Sequence, residues 1–265
     1  MVFIGSSRAF MHYNPSIFDS ILNVKSFNCG LVARGISTQV AKYHAYCRLH
    51  DYPKYLIINL DICIFQKESI SDEDRLFTAA HTYREQFFPY YDDRKLINEL
   101  EKSGESIKWY EKIIPLIRYA GYKDIILEGF GINKVNHIST YKGFYGFDYK
   151  DDWDYFTWGN FKFKKEFCFD SVLHELINEC VVNNITPIFV IGPAYSGYMQ
   201  QLVNKEEAIS YMHRLADYHQ APLFDYTQCY ISDDSSLFCD PIHLNRQGAN
   251  EFSKLLAKTL QDSII

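Results

Sequence analysis

No run in this chain is long and apolar enough to approach the roughly 20 residues of a membrane span. No basic stretch followed by an apolar one precedes Val2 in the manner of a secretory leader. The first strand has only about three residues before its glycine, which is compatible with a longer natural N-terminus. The seven cysteines (Cys29, Cys47, Cys63, Cys168, Cys180, Cys229 and Cys239) form no CxxC pair and no zinc-ligand spacing. An odd number, several inside apolar runs such as Ile62-Cys63-Ile64, reads as buried thiols in a reducing compartment, and the cytoplasm is the expected location. No phosphate-cradling glycine loop is present, and no Gly-x-Ser-x-Gly elbow of the common α/β-hydrolases. The acidic runs Asp72-Glu73-Asp74 and Asp151-Asp152-x-Asp154 lack EF-hand spacing and read as solvated loop faces, so neither a metal nor any other cofactor is expected. Excess positive charge is also missing. The net charge is −6 and the isoelectric point about 5.8, which speaks against nucleic acid as a partner, and Lys162-Phe163-Lys164-Lys165 is most simply a solvated face. There is no internal repeat, and the sequence leaves the oligomeric state open.

What is present fits one substantial globular domain spanning 1–265, with an insertion at about 66–169. Hydrophobic residues make up 47% and charged residues 23%, both ordinary; the 17% aromatic share is high, with 21 Tyr and 20 Phe against 3 Trp. Short apolar runs at Val2–Ile4, Ser26–Asn28, Tyr55–Leu60, Ile188–Ile191 and Pro222–Phe224 alternate with helical patterns. That alternation predicts an α/β class fold, a three-layer α/β/α sandwich around a mainly parallel central sheet. The helical patterns cover Ser37–His50, with Ser37 or Thr38 as cap; a segment capped by Asp170 with Val172, Leu173, Leu176, Ile177, Cys180 and Val181 as its stripe; Glu206–Tyr218; and Ala249–Leu260, with Gly248 at the turn leading in. The middle of the chain breaks the rhythm, apart from a helix at 105–119 and a short strand at 124–127. Its aromatic content argues against disorder, and it reads as a lid over one edge of the sheet. The run Trp153-Asp154-Tyr155-Phe156-Thr157-Trp158 suits either stacking on sugar rings or lid packing.

Ligands of parallel α/β sheets bind beyond the carboxyl ends of the strands. Ser7, Gly30, Asp61 and Pro193 each fall just after an expected strand and therefore belong to that crevice. Ser7 follows a glycine that permits a tight turn. Asp240 stands three residues before His243, on a loop leading into the last helix. A hydroxyl attacks only when a base takes its proton, and the base needs a third group to hold its ring and tautomer. Ser7, His243 and Asp240 supply those parts if the fold brings the chain ends together. Each segment alone has a plainer explanation, a helix cap for Gly5-Ser6-Ser7 and a satisfied polar group for His243.

Taken together, strand–Gly5-Ser6-Ser7-Arg8 at the start and Asp240-Pro241-Ile242-His243-Leu244-Asn245-x-x-Gly248 before the final helix resemble the first and last sequence blocks of the SGNH hydrolases, or GDSL-type esterases. The resemblance implies the flavodoxin-like sandwich of that family, with Ser7 as nucleophile, His243 as base, Asp240 as its orienting acid, and Ser6 where the family has Asp. It implies an oxyanion hole from the backbone of Ser7 with Gly30 or Gly35. It departs at the third block, where Ile58-Asn59-Leu60-Asp61-Ile62 stands in place of Gly-x-Asn-Asp; Asp61 falls near the missing Asn, and an ionised Asp cannot donate to an oxyanion. The wider segment Gly5 to Pro15 resembles a divergent branch associated with bacterial surface-glycan modification and O-acetyl groups. In that setting Arg8, His12 and Asp61 are candidate substrate-binding residues, although a surface charge and a helix-start polar residue explain Arg8 and His12 equally well. The resemblance implies a serine esterase or O-acyltransferase that takes a small acyl ester, either a small molecule or a glycan. The competing expectation is a catalytically weak or inactive protein that uses the same fold to bind glycan or to scaffold.

Overall fold

The computed structural model describes residues 1–32, 35–60, 141–148, 159–163 and 169–264, with isolated positions at 94, 97–98, 101 and 109–110. Asp61, Cys63, Cys168, both acidic runs, the 153–158 aromatic run, the 124–127 strand, most of the 105–119 helix and most of the expected insertion lie outside these residues.

Five strands form one parallel sheet: β1 (Val2–Ile4), β2 (Phe27–Asn28), β3 (Tyr55–Asn59), β4 (Thr186–Ile191) and β5 (Leu223–Asp225), in the order β2-β1-β3-β4-β5. This is a doubly wound order whose direction reverses at β1 and β3, where such folds open their ligand crevice. The strands read as unbroken apolar runs because both faces are covered. Val2, Ile4, Leu56, Ile58, Phe189 and Ile191 pack on one side, against α3 (Ile36–Leu49), α4 (Phe169–Val182) and α6 (Lys205–His219). Phe3, Tyr55, Ile57, Ile188 and Val190 pack on the other, against α1 (Ser7–His12), α2 (Pro15–Leu22) and α7 (Arg246–Ser263). The α/β/α layering is the one expected from the alternating patterns. A short α5 (Ser196–Met199) lies between β4 and α6. An antiparallel pair, β6 (Phe238–Asp240) and β7 (His243–Leu244), precedes α7.

Several boundaries differ from the sequence expectation for local reasons. β4 begins at Thr186 and runs through Pro187. The proline is tolerated because the neighbouring amides of Thr186 and Phe189 bond to Lys54 and Pro222 respectively, and pairing with β5 starts only at Phe189, so the missing N–H falls where no partner strand waits. α3 is capped by Gly35, not by Ser37 or Thr38, both of which are inside the helix. Asp170 likewise lies in the first turn of α4, and Val181, assigned to the apolar stripe, is 69% exposed. α7 starts at Arg246 because Asn245 caps it, its Oδ1 accepting from the Gly248 amide, and Gly248 therefore sits in the first turn. α1 and α2, given no bounds in the sequence reading, are short; α1 ends at an extended Tyr13 and α2 at a left-handed Asn23.

The edge strand β2 is covered by residues 141–148: the Asn28 amide donates to the Lys142 carbonyl at 2.9 Å, and the Tyr145 amide to that of Phe10 at 3.1 Å. The chain ends meet through α7. Ser253 Oγ accepts from the Asn14 amide at 2.9 Å and donates to the His12 carbonyl at 3.1 Å.

Backbone approaches closely at two glycines beside β1. Gly5 has φ +154°, and a Cβ there would lie 2.6 Å from that of Ala9. A Cβ on Gly30 would lie 2.3 Å from the backbone nitrogen of Phe10, in α1. Because that neighbour is main chain, Gly30→Ala must displace α1 and should cost about 1–3 kcal/mol in urea denaturation. An unchanged midpoint would mean that α1 does not need this approach.

Candidate active site

Ser6 ends the turn after β1 as the N-cap of α1, its Oγ accepting weakly from the Arg8 amide at 3.4 Å. Ser7 is thereby the first helical residue, at the carboxyl end of β1, the strand between β2 and β3. Its backbone N–H has no intrahelical acceptor.

The other half of the site is the β6–β7 turn. Asp-Pro is a turn-initiating pair, since proline presets φ and Asp accepts from amides further on. Asp240 Oδ1 accepts from the amides of Ile242 and His243, both at 2.9 Å. Its second oxygen is left for the ring: Oδ2 lies 2.6 Å from His243 Nδ1. One carboxylate therefore shapes the turn and orients the imidazole. Burial alone would raise the Asp240 pKa. The His243 hydrogen bond and charge, with the two turn amides, outweigh it and hold the carboxyl below its ordinary value. An ionised Asp240 can only accept, so the His243 proton sits on Nδ1 and Nε2 offers a lone pair. Nε2 is 2.7 Å from Ser7 Oγ, across 236 positions of sequence. The three residues thus form one hydrogen-bonded chain.

The remaining candidates separate. Asn28 is fully buried; its Nδ2 donates to the carbonyls of Ala9 and Tyr13 at 2.7 and 2.9 Å, and its Oδ1 accepts from the Gly30 amide at 2.8 Å. Gly30 was expected to offer its N–H to an oxyanion; here that N–H is committed to Asn28, and the glycine serves the close contact with α1. Gly35 heads α3, where its carbonyl accepts from Gln39 at 3.2 Å. The clamp made by Asn28 was missed as a role, although Asn two residues before Gly is a recognisable side-chain turn signal.

Neither His12 nor Arg8 stands at an open entrance. His12 is the last residue of α1, fully buried, and its Nε2 accepts from the Leu244 amide at 3.1 Å. It braces the strand that carries His243. A lone histidine in sequence gives no sign of such a long-range backbone partner. Arg8 is 7% exposed, and its Nη2 donates to the carbonyls of Gly192 and Pro193 at 2.6 and 3.0 Å. It ties the loop after β4 to α1, and among the described residues no carboxylate pairs with it. Asp61 lies outside the described residues. Among those residues no group of His, Cys, Asp and Glu could hold a metal ion, and no helix is long and apolar enough to cross a membrane.

No family model and no curated protein matches the chain. Solved structures similar to it include a protein provisionally described as a lipolytic protein of the G-D-S-L family from Desulfitobacterium hafniense, 11% identical with a TM-score of 0.47, covering 98% of each chain. Another is a protein provisionally described as an acylhydrolase from Bacteroides fragilis, 12% identical with a TM-score of 0.47, covering 100% of this chain and 87% of the other.

Burial, then the nearby Arg8 guanidinium and His243, push the His12 pKa well below its ordinary 6.5, against a smaller opposing pull from the Ile242 backbone. Below pH 6.5 the unfolded chain therefore takes up a proton that folded His12 refuses. Its contribution to stability is complete above that pH and is lost as pH falls toward the folded value. His12→Gln keeps an acceptor for the Leu244 amide but cannot titrate. Urea denaturation between pH 8 and 5 should show the wild type losing up to about 1.4 kcal/mol per pH unit more than this variant below 6.5. Parallel profiles would place His12 in contact with water.

Proposed function

We propose that this protein is a serine-dependent esterase or O-acyltransferase that works on carboxylic esters through an acyl-serine intermediate. One observation carries the reading: Ser7 Oγ lies 2.7 Å from His243 Nε2, whose other nitrogen lies 2.6 Å from Asp240 Oδ2. No structural need of the fold requires a hydroxyl, an imidazole and a carboxylate in series at the carboxyl end of β1.

Ser7 Oγ attacks the ester carbonyl while His243 Nε2 takes its proton. Asp240 stays ionised and stabilises the imidazolium. The Ser7 N–H, which has no intrahelical acceptor, is the oxyanion donor in this reading. Collapse of the tetrahedral intermediate breaks the bond to the alcohol, which leaves with the proton from His243, and Ser7 holds the acyl group. Water or a second hydroxyl then attacks the acyl-serine, His243 again taking the proton; the acyl–Oγ bond breaks, His243 returns the proton to Ser7 Oγ, and the acid or a new ester leaves. Exclusion of water decides between hydrolysis and transfer. The narrowest substrate in this reading is an acetyl-type ester of a carbohydrate, which rests on the resemblance of the segment Gly5 to Pro15 to glycan-modifying proteins. A cytoplasmic location belongs to the same reading.

The second reading, a glycan-binding or scaffolding protein of low activity, draws on the Gly30 amide being engaged by Asn28. Losing one oxyanion donor typically costs about 10²–10³ in rate.

A fluorophosphonate should add covalently to Ser7, and His243→Ala should abolish the adduct. With p-nitrophenyl acetate, Ser7→Ala and Asp240→Asn should each lower kcat/KM by at least about 10³. Full activity in Ser7→Ala would remove the nucleophile assignment, and a folded protein that neither labels nor turns over ester would favour the binding reading. Release of p-nitrophenol that accelerates with added sugar, with acyl appearing on the sugar, would mark transfer.

A further inference from the structure

The structure holds a mostly enclosed cavity of about 110 Å³. Its apolar lining includes Ile191, Met199, Leu202, Met212 and Ile242, and Arg8 forms part of its wall. Two of these residues are chain neighbours of the reacting groups: Arg8 follows Ser7, and Ile242 precedes His243. The cavity lies past the end of β4, under α5 and the start of α6. One side is closed by Phe161, which stacks on Tyr198 at 4.7 Å between centroids. Phe161 is fastened there by backbone bonds, its amide donating to Gln201 at 3.0 Å and its carbonyl accepting from Val203 at 2.9 Å. In the cavity wall Arg8 Nη2 is held by the Gly192 and Pro193 carbonyls, while Arg8 Nε is buried without a partner among the described residues. A close-packed interior does not keep an apolar void of this size without a reason, since unfilled volume is destabilising.

We infer that this cavity receives the alkyl chain of the substrate's acyl group, and that the enzyme takes short chains of about four to six carbons in preference to acetyl. An apolar cavity of about 150 Å³ accepts benzene, and at roughly 30 Å³ per small group this one takes about four carbons beyond the carbonyl at Ser7. The inference rests on the esterase reading and revises its acyl group. The chain enters with the carbonyl held at Ser7 and the oxyanion turned toward the Ser7 amide. Ala208 and Met212, both from α6, set the depth.

The test is kcat/KM over p-nitrophenyl acetate, butanoate, hexanoate, octanoate and decanoate. Each buried methylene is worth about fourfold, so butanoate should exceed acetate by on the order of tenfold, with a maximum by hexanoate and a decline beyond. Ala208→Leu should lower the hexanoate-to-acetate ratio at least tenfold, and Met212→Ala should move the maximum to octanoate or longer. If one variant fails to fold, the other still tests the depth. A readout independent of turnover is available, because only four methionines are present and Met199 and Met212 both line the cavity. Sodium hexanoate should shift their methyl resonances and sodium acetate should not. Turnover and labelling at Ser7 with acetate preferred, or ratios unmoved by both variants, would overturn the chain-length inference and leave the esterase reading standing. No labelling and no turnover of any ester would overturn both.

Discussion

The Asp240 carboxylate has two oxygens with two tasks, and the site depends on both being met at once. Oδ1 closes the turn by accepting from two amides, and Oδ2 fixes the His243 ring. Were the turn held by anything else, the carboxylate would be free to rotate and the imidazole would lose its tautomer. Because the carboxylate is partly buried, its ionisation needs the His243 hydrogen bond and the turn amides to offset the lost hydration. The charge, the turn and the ring orientation therefore stand or fall together. His12 adds the fourth anchor by accepting from the Leu244 amide, so the turn is held from the protein interior as well as from within.

The same economy operates on the Ser7 side. A strand of three residues carries the nucleophile to the switch point of the sheet, and Ser6 converts the chain at once into helix. Close backbone contact at Gly30 and the clamp made by Asn28 fix where α1 lies, and Arg8 fastens its first turn to the loop after β4. A guanidinium held by neutral carbonyls is an expensive tether, for among the described residues no carboxylate offsets its desolvation. It is placed where a flexible loop would blur both the triad and the cavity wall. Rigidity of this order matters because the reacting atoms must be held to a fraction of an ångström.

Sequence patterns carried much of the architecture. All five strands of the sheet were legible because parallel strands covered on both faces are continuous apolar runs, and the errors fell at their ends. Pro187 obscured the start of β4, since the consequence of a missing N–H depends on whether a partner strand is there to need it. A cap was legible at Gly5-Ser6-Ser7, where Ser6 caps α1, but not at Asn245, which caps α7 ahead of its expected start, nor at Gly35, where no side chain caps the helix. α1 and α2 are too short to show a period, and tertiary packing on α7 holds them.

Ser7, Asp240 and His243 were marked out by sequence because the chemistry of a nucleophile, a base and an orienting acid uses few residue types, and because local turns advertise themselves through Gly and Asp-Pro. Local pattern could decide that Asp240 would reach His243, three residues away. Whether His243 reaches Ser7 is a statement about residues 236 positions apart, and it follows only from strand order and the packing of α7 on α1 and α2. For the same reason the chain could not reveal that Arg8 and His12 are buried braces, that the Gly30 amide is already engaged, or that a cavity lies under α5 with Arg8 in its wall. Those are properties of surfaces brought together by folding, and no run of neighbouring residues encodes them.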